Sequence, residues 1–367
     1  MSIAKGHLSV NMVKKILIVG CGVTGAASAS LLQKTQTDPQ KFNVTIFEKS
    51  RGTGGRMNTS RSSTNQQTVD LGAQYISVRP NYAQINKSFH EELLSSGVLQ
   101  PLTGVIEGDN NLMPDGTLNY TAPGGIGAIP KHFLKQSDAD VSFSTHVSSI
   151  DLDPFGTYWQ VKTLDKPDEI KSFDAVLLTI PVPQILQLKG NIQNMLDEKK
   201  EIKEKLAKVA YSSRYALGLY FPPEAKISVT WAAKYFWDDP CIRFVSIDDR
   251  KRGKDGVGHS LCVHTSVPFG LKHLEEDKEA VQPIIMDHLR KLIPDLPQPT
   301  ETKCQKWRYS QVYKGYEGSP GCVVLQDSPL LVLAGDSFIH SNLDACLVSA
   351  KKTADVILNH GYLAGNL

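Results

Sequence analysis

The sequence predicts an α/β protein in which a doubly wound, Rossmann-like dinucleotide-binding domain is joined to a second domain rich in strands. Three observations carry that expectation. The first fifty residues read strand, glycine turn, helix, strand, which is a βαβ unit. The far end of the chain returns to the same pattern, with the apolar strand LLVLAGDSF followed by a helix from about Leu343 to His360. A length of 367 residues suits two domains, at about 100–200 residues each.

The elements follow in order. Residues 1–13 are polar and irregular and read as a disordered leader. Ile16–Val19 is short and wholly apolar, as a strand covered on both faces should be. Gly20-Cys21-Gly22-Val23-Thr24-Gly25 comes next, then the helix AASASLLQK, then FNVTIFEKS, a β-branched and aromatic strand ending at Glu48. NYAQINKSFHEELLSSG has apolar positions at helical spacing up to Gly97, and GGIGAIPKHFLKQS reads as a glycine turn feeding a helix. DADVSFSTHVSSIDLD and TYWQVKTL alternate as strands do, and FDAVLLTIPVP is an apolar strand stopped by two prolines. MLDEKKEIKEKLAKV is strongly helical, its charge run a solvated face. Residues 211–300 hold several aromatic-rich strands and a helix near DKEAVQPIIMDHLRKLI.

Composition excludes several classes. With 41% hydrophobic and 21% charged residues the chain can bury a core. Lys+Arg 40 against Asp+Glu 38 lacks the basic excess of a nucleic-acid protein. The 6 cysteines are scattered without a C-x-x-C pair, so they read as free thiols, with no metal site and a reducing, cytoplasmic setting. No run of 18 apolar residues exists to span a membrane.

The glycine turn has the right context on both sides, with an acid 23 residues past its last glycine. Gly20 permits the turn, Gly22 lets backbone approach a pyrophosphate, and Gly25 lets the helix pack closely. The helix N-terminus offers unpaired N–H groups to phosphate. Glu48 can accept from both hydroxyls of an adenosine ribose. Shortly after it comes Thr53-Gly54-Gly55-Arg56, where Arg56 would meet pyrophosphate charge as a guanidinium fork.

This E-x(5–6)-G-G-R string resembles the second flavin fingerprint of the amine-oxidase-type FAD enzymes. DLGAQY, Asp70 to Tyr75, resembles the superfamily segment beneath the flavin ring, which implies Gly72, Ala73, Gln74 and Tyr75 as cofactor contacts. Val147 matches the valine whose backbone meets the adenine, and Gly335-Asp336 the C-terminal motif whose acid binds the ribityl chain. Thr24 and Asn342 are further contacts the resemblance implies. The helix after Asp336 is expected to aim its N-terminus at the flavin.

The strings GGRMNT, DLGAQYI, IPVPQILQL, YSSRYALGLY, PCIRFVSID, VHTSVPFG, LPQPTETKCQKWRYSQ and GDSFIHSNLDAC resemble the renalase family from Ile16 to the C-terminus. That resemblance implies a p-hydroxybenzoate-hydroxylase-like fold. Residues 14–85, 121–187 and 325–362 would form a discontinuous FAD domain, and 86–120 and 188–324 a substrate domain with a mostly antiparallel sheet. It also implies non-covalent FAD, and oxidation of 2-dihydro- and 6-dihydro-NAD(P) to NAD(P)+ with oxygen reduced to hydrogen peroxide. Tyr75, Tyr235, His264 and Trp307 are the candidates for the substrate slot. Oxidation of catecholamines or other monoamines on the same scaffold is one alternative. A secreted, non-catalytic signalling ligand with a receptor partner is another. The only signal-like segment contains the glycine turn, so an exported chain would have to keep it uncleaved. Of the glycosylation sequons at Asn43 and Asn119, the first falls in a core strand and the second is the better placed.

Overall fold

KKILIV becomes the strand Lys14–Val19, inside a six-stranded sheet. A computed structural model describes residues 13–36, 41–64, 67–109, 113–254 and 258–364, so the leader expectation lies outside it but for Val13. The strand order is Cys322–Gln326, Leu330–Ala334, Ala175–Leu178, Lys14–Val19, Phe42–Phe47, Asp140–Ser142, all neighbours parallel except the first pair. Residues 16–19, Ala175–Leu178 and Leu330–Ala334, at the centre of this sheet, are apolar and buried because both faces are covered. Ile16, Ile18, Ile46, Leu177 and Val332 pack with Ala29 and Leu32 of the helix Val23–Thr35 and with Ala354 of the helix Leu343–Leu358. Leu17, Val19, Val176, Leu178 and Leu333 pack instead with Trp159 and Val161 of a three-stranded sheet, Val147–Leu152, Trp159–Thr163 and Lys171–Phe173. The α/β expectation is met, with strands from both chain ends in one sheet, on either side of Ala175–Leu178. Among the described residues no helix is long and apolar enough to cross a membrane.

A second six-stranded sheet runs Glu301–Trp307, Arg214–Tyr220, Ser260–Thr265, Ile242–Ile247, Ala233–Tyr235, Ile106–Glu107, antiparallel except for the last pair. Tyr215, Leu217, Val245 and Val263 on one face pack with Val281, Ile285 and Leu289 of the helix Lys278–Leu292. The other face receives Val69 and Leu71. Gly218 makes that approach possible: a Cβ there would lie 2.7 Å from Val69 Cγ1 and 2.9 Å from Leu71 Cδ2.

Several local expectations are corrected. DADVSFSTHVSSIDLD is divided between two sheets, and the turn passes through Ser144 at φ 55°. The amides of Ser144 and Thr145 donate to the carbonyls of Ser50 and Glu48, which tethers the crossing. The helix expected in NYAQINKSFHEELLSSG breaks at Asn86, whose buried amide donates to Asp344 Oδ1 (2.8 Å), leaving Pro80–Ala83 and Lys87–Ser95. MLDEKKEIKEKLAKV breaks at Lys199, ψ 61°, whose Nζ donates to the carbonyl of Leu325, leaving Asn191–Glu198 and Lys200–Ala207. The order of the sequons is reversed. Asn43 is exposed, whereas the half-buried Asn119 accepts from Ser77 Oγ through its Oδ1 (2.6 Å).

Charge holds Asp70 and its neighbours on the second sheet. Lys251 and Arg252 end the helix Asp248–Arg252, and both are buried with Asp70 and Asp248. Lys251 Nζ lies 2.8 Å from Asp248 and 3.3 Å from Asp70, while Arg252 Nη2 lies 2.6 Å and 2.7 Å from the same carboxylates. Two charges of each sign thus cancel. Burial pushes both carboxyls up; the two cations outweigh it at Asp70, which ends below the ordinary range, but not at Asp248, which ends above it. Removing one partner of such a group leaves an uncompensated buried charge and costs about 3–5 kcal/mol. Lys251→Met is therefore expected to lower the unfolding free energy by about that amount, read as a lower denaturant midpoint at unchanged m-value. A loss below about 1 kcal/mol would show that the cluster does not hold the two parts together.

Candidate functional site

The nucleotide end is built by backbone. Gly20 has φ +105°, and a Cβ there would press on Thr179 Oγ1 at 2.9 Å. A Cβ on Gly25 would lie 2.1 Å from the carbonyl of Gly20, so only glycine lets the helix Val23–Thr35 sit against its own turn. Gly22, the N-cap, brings no side-chain cap, and the first turn has no acid. A Cβ on Gly22 would meet nothing within 4 Å, and one on Gly55 would meet only Gly22 Cα at 3.9 Å. The two glycines therefore edge an open cradle at an uncapped helix N-terminus, a shape and polarity that fit a pyrophosphate.

Glu48 is buried at the adjoining strand end. Its Oε2 accepts the amide of Cys21 and its Oε1 that of Ser50, both at 2.8 Å. The carboxylate is held rigidly and keeps lone pairs for a ribose. The amide of Gly54 donates to the carbonyl of Cys21 (2.9 Å), which brings the G-G-R loop onto the turn. Val147 is buried in the strand Val147–Leu152, next to the crossing that is tethered to Glu48. Thr24 directs its hydroxyl to the carbonyl of Cys346 (3.4 Å), joining two helices.

Arg56 and Asp336 were expected to touch different parts of one ligand. The structure shows them also as partners, in a bidentate pair with Nη1 and Nη2 at 2.6 Å and 2.7 Å from the two carboxylate oxygens. Ser341 Oγ adds a hydrogen bond to Asp336 Oδ2 (2.7 Å). Although burial opposes charge on Arg56, the Asp336 carboxylate raises its pKa, so the guanidinium stays charged. Gly72 and Ala73 act through backbone. The amide of Ala73 donates to the carbonyl of Arg56 (3.0 Å), and a Cβ on Gly72 would lie 1.8 Å from that same oxygen. The helix expected from about Leu343 begins at Leu343, beyond a short 3-10 turn over Asp336–Phe338. Asn342 is its N-cap, with Oδ1 accepting the amide of Ala345 (2.7 Å).

The four slot candidates meet in two pairs. The carbonyl of Leu71 accepts from Trp307 Nε1 (2.8 Å) and lies 3.2 Å from His264 Nε2. Gln74 Nε2 spends its protons on the carbonyls of Asp70 (2.5 Å) and Gly72 (3.0 Å), so its Oε1 is free to accept from Ser246 and Lys251. That arrangement assigns the proton of His264 to Nε2, donating to Leu71, with a lone pair on Nδ1. Burial and the Arg214 guanidinium lower His264 to about 4. The hydroxyls of Tyr75 and Tyr235 are 2.8 Å apart, and burial raises both pKa values. Two neutral phenols use one proton between them, so one O–H remains for a ligand.

Register explains the convergence. Gln305, Ala216, His264, Phe244 and Tyr235 lie directly opposite one another across five strands, so their side chains share one face. Phe244, missed by sequence reasoning, links the pairs, its ring centroid 4.9 Å from Tyr235, 6.5 Å from Tyr75 and 6.0 Å from His264. Arg214, opposite Trp307, was missed too. It donates to the carbonyl of Thr265 (3.0 Å), and burial and then Arg243 lower its pKa. Arg243 lies over the Trp237 ring at 4.5 Å and donates to the carbonyl of Phe236. Neither arginine forms a salt bridge with a carboxylate of the described residues. A cleft of ≈ 240 Å³ adjoins Tyr75 and Tyr235, with Asp109 and Asn119 on its wall. Alternation along RYALGLY marks the face Arg214 shares with Ala216, but not what lies opposite.

Comparison with known proteins agrees with this architecture. The model of flavin-containing amine oxidoreductases matches residues 100–358, and that of an NAD(P)-binding Rossmann-like domain matches residues 18–93. Renalase of Mus musculus is 42% identical over 346 residues, covering 94% of this chain and 98% of that protein. A putative protoporphyrinogen oxidase from Exiguobacterium sp. 255-15 superposes with TM-score 0.69 at 14% identity, covering 93% of this chain and 98% of its own. A Pyrococcus furiosus protein superposes with TM-score 0.60 at 12% identity, over 93% and 97%. These two structures speak to the fold alone. The sequence matches make this chain a flavin-dependent oxidoreductase, and it belongs to the renalase family of flavin-containing amine oxidoreductases.

Proposed function

We propose that the chain holds FAD non-covalently and oxidises 2-dihydro- and 6-dihydro-NAD(P) to NAD(P)+, with dioxygen reduced to hydrogen peroxide. The observation that carries this reading is the charge of the substrate wall. Arg214 and Arg243 stand beside His264 and Tyr235 without carboxylate partners among the described residues. At this face an ammonium ion would meet two cations, while the carboxylates of Asp109 and Asp115 line the cleft beside the tyrosines. A dinucleotide enters with a diphosphate, which such a wall attracts.

The proton inventory supports the same reading. An amine oxidase must accept an ammonium proton. Here His264 donates its Nε2–H to the carbonyl of Leu71 and resists protonation, while the tyrosine pair is neutral. A dihydronicotinamide loses no proton, since its ring nitrogen supplies the electron push. The chemistry a bound flavin supplies is acceptance of that electron pair and its delivery to oxygen. The chain's own part is placement. Phe244, Tyr75 and Tyr235 would flank the ring, and the spare phenolic O–H would donate to its carboxamide. Gly22 and Gly55 would receive the FAD pyrophosphate, Glu48 the ribose, and Asp336, with Arg56 beside it, the ribityl side. Cys346 lies nearby, but burial pushes its thiol up to about 12, which disfavours the thiolate that covalent attachment would use. Lys14–Val19 is hydrogen-bonded on both sides within the parallel sheet, so an exported chain would have to retain its N-terminal segment.

The direct test is anaerobic mixing of flavin-loaded protein with each substrate. Rapid bleaching by 6-dihydro-NAD and none by a catecholamine is expected; the reverse would overturn the reading. Arg56→Ala removes a charge-assisted contact and frees Asp336 to repel phosphate, so FAD affinity should fall by about 1.5–3 kcal/mol. Flavin content equal to that of the unmodified protein would place the pyrophosphate elsewhere.

The pH profile separates the two chemistries. His264 is depressed to about 4, so it stays neutral across pH 6–8, and the bleaching rate should be flat there. An amine substrate would show a rate climbing with pH. Linkage has a definite sign. The unfolded chain takes up a proton near 6.5 that the folded chain refuses until about 4, so this group lowers stability as pH falls through that window. His264→Asn should remove that component of the stability slope and leave the bleaching rate flat. A rate step near pH 6.5 that disappears in the variant would make His264 an acid–base catalyst instead.

A further inference from the structure

Three side chains of metal-binding chemistry meet where the strand Ile242–Ile247 begins. Asp239, Cys241 and His288 each offer one ligand atom, and these atoms all lie within 4.8 Å of one another. Scattered cysteines led to the expectation of no metal site, because His288 is far along the chain, on the helix Lys278–Leu292. Packing of that helix against the sheet brings it back.

The geometry is fixed by bonds that are not themselves ligand bonds. Asp239 Oδ1 accepts the amides of Cys241 (2.8 Å) and Ile242 (2.6 Å), which holds the carboxylate with Oδ2 3.0 Å from His288 Nδ1. The carbonyls of Cys241 and Pro240 accept the amide (2.6 Å) and hydroxyl (2.7 Å) of Ser266, so the loop is pinned from behind. Cys241 is 1% exposed, whereas the Asp239 and His288 side chains retain 11% and 24% of their exposure. The cluster has a buried sulfur floor and a side open to water. That is the layout of a cation site with three protein ligands and one solvent position.

The donor set selects the ion class. Thiolate, imidazole and carboxylate together suit a borderline-soft divalent ion, while calcium and magnesium call for oxygen alone. Tetrahedral ligands about 2.0–2.3 Å from a zinc ion lie roughly 3.3–3.8 Å from one another. The separations here, at most 4.8 Å, need to close by no more than about 1.0–1.5 Å to reach that spacing. An Asp–His ion pair alone would account for two of the three residues and leave the sulfur facing them without a role.

We propose that Asp239 Oδ2, Cys241 Sγ and His288 Nδ1 form a binding site for zinc or a similar divalent ion, with water completing the coordination. On binding, two protons are displaced. The thiol proton leaves to solvent and the sulfur binds as thiolate. The Nδ1 proton that His288 donates to Asp239 is lost as the ring takes its Nε2–H tautomer, so that Nδ1 binds through its lone pair. The ion would tie the strand that carries Phe244 and Ser246 to the helix on the opposite face of the sheet.

The test uses flavin-loaded protein treated with a chelator, dialysed, and titrated with Zn2+ by calorimetry, with bound metal counted by mass spectrometry. One zinc per chain is expected. Cys241→Ser and His288→Gln should each weaken binding at least tenfold, and Cys304→Ser, at a thiol elsewhere, should not. Flavin absorbance reports whether each variant is folded. If Cys241→Ser loses its flavin, His288→Gln, at a partly exposed position, decides the matter. Absence of saturable binding by the unmodified protein, or equal affinity in His288→Gln, would overturn the proposal.

Discussion

The site depends on how the segment from Asp70 to Tyr75 is held against the second sheet. Its backbone faces two ways. On one side Gly72 and Ala73 grip the carbonyl of Arg56, and through Arg56 the chain reaches Asp336. On the other, the carbonyl of Leu71 takes Trp307 and His264, and Gln74 takes Ser246 and Lys251. One short segment therefore couples the nucleotide cradle to the substrate wall. The buried quartet of Asp70, Asp248, Lys251 and Arg252 sets its position along the strands. A shift of one residue would present the opposite side chains to the sheet and leave buried charges without partners. Apolar contact through Val69, Leu71 and Ala216 supplies adhesion without such a penalty for slippage.

The same constraint explains the character of the substrate wall. Once Leu71 has used the Nε2–H of His264, and the tyrosine hydroxyls have used each other, few groups remain to move protons. Arg214 and Arg243 then supply the positive charge of this face, with Asp109 and Asp115 lining the cleft beside the tyrosines. A wall of this kind suits a flat, anionic substrate whose oxidation is driven by its own ring. The matching family is that of amine oxidoreductases, and the proposed reading puts a different ligand at this wall within the same flavin chemistry.

What the sequence disclosed was what is local in the chain. The spacing of Gly20, Gly22 and Gly25, the strand end at Glu48 and the G-G-R loop are read within a few dozen residues, and the structure brings them into one cradle. Convergence of His264, Trp307 and the two tyrosines was expected through family resemblance, because no spacing relates residues on separate strands. The Arg56–Asp336 pair was hidden for the same reason, as each residue had already been given a ligand. The run IDDRKR carries no local sign that a strand bearing Asp70 will bury it. Helix breaks at Asn86 and Lys199 arise from tertiary hydrogen bonds to Asp344 and Leu325, which override a continuous helical pattern.

The central claim is that the face carrying His264, Phe244 and Tyr235, with Arg214 at its edge, receives a dihydronicotinamide dinucleotide. The most direct measurement is a crystal structure of the flavin-loaded protein with NAD+, the product of the proposed reaction. The account predicts the nicotinamide ring on the Phe244 face, its carboxamide at the tyrosine pair, and the diphosphate within reach of Arg214 or Arg243. A nicotinamide ring bound away from that face, with both arginines turned from the diphosphate, would contradict it.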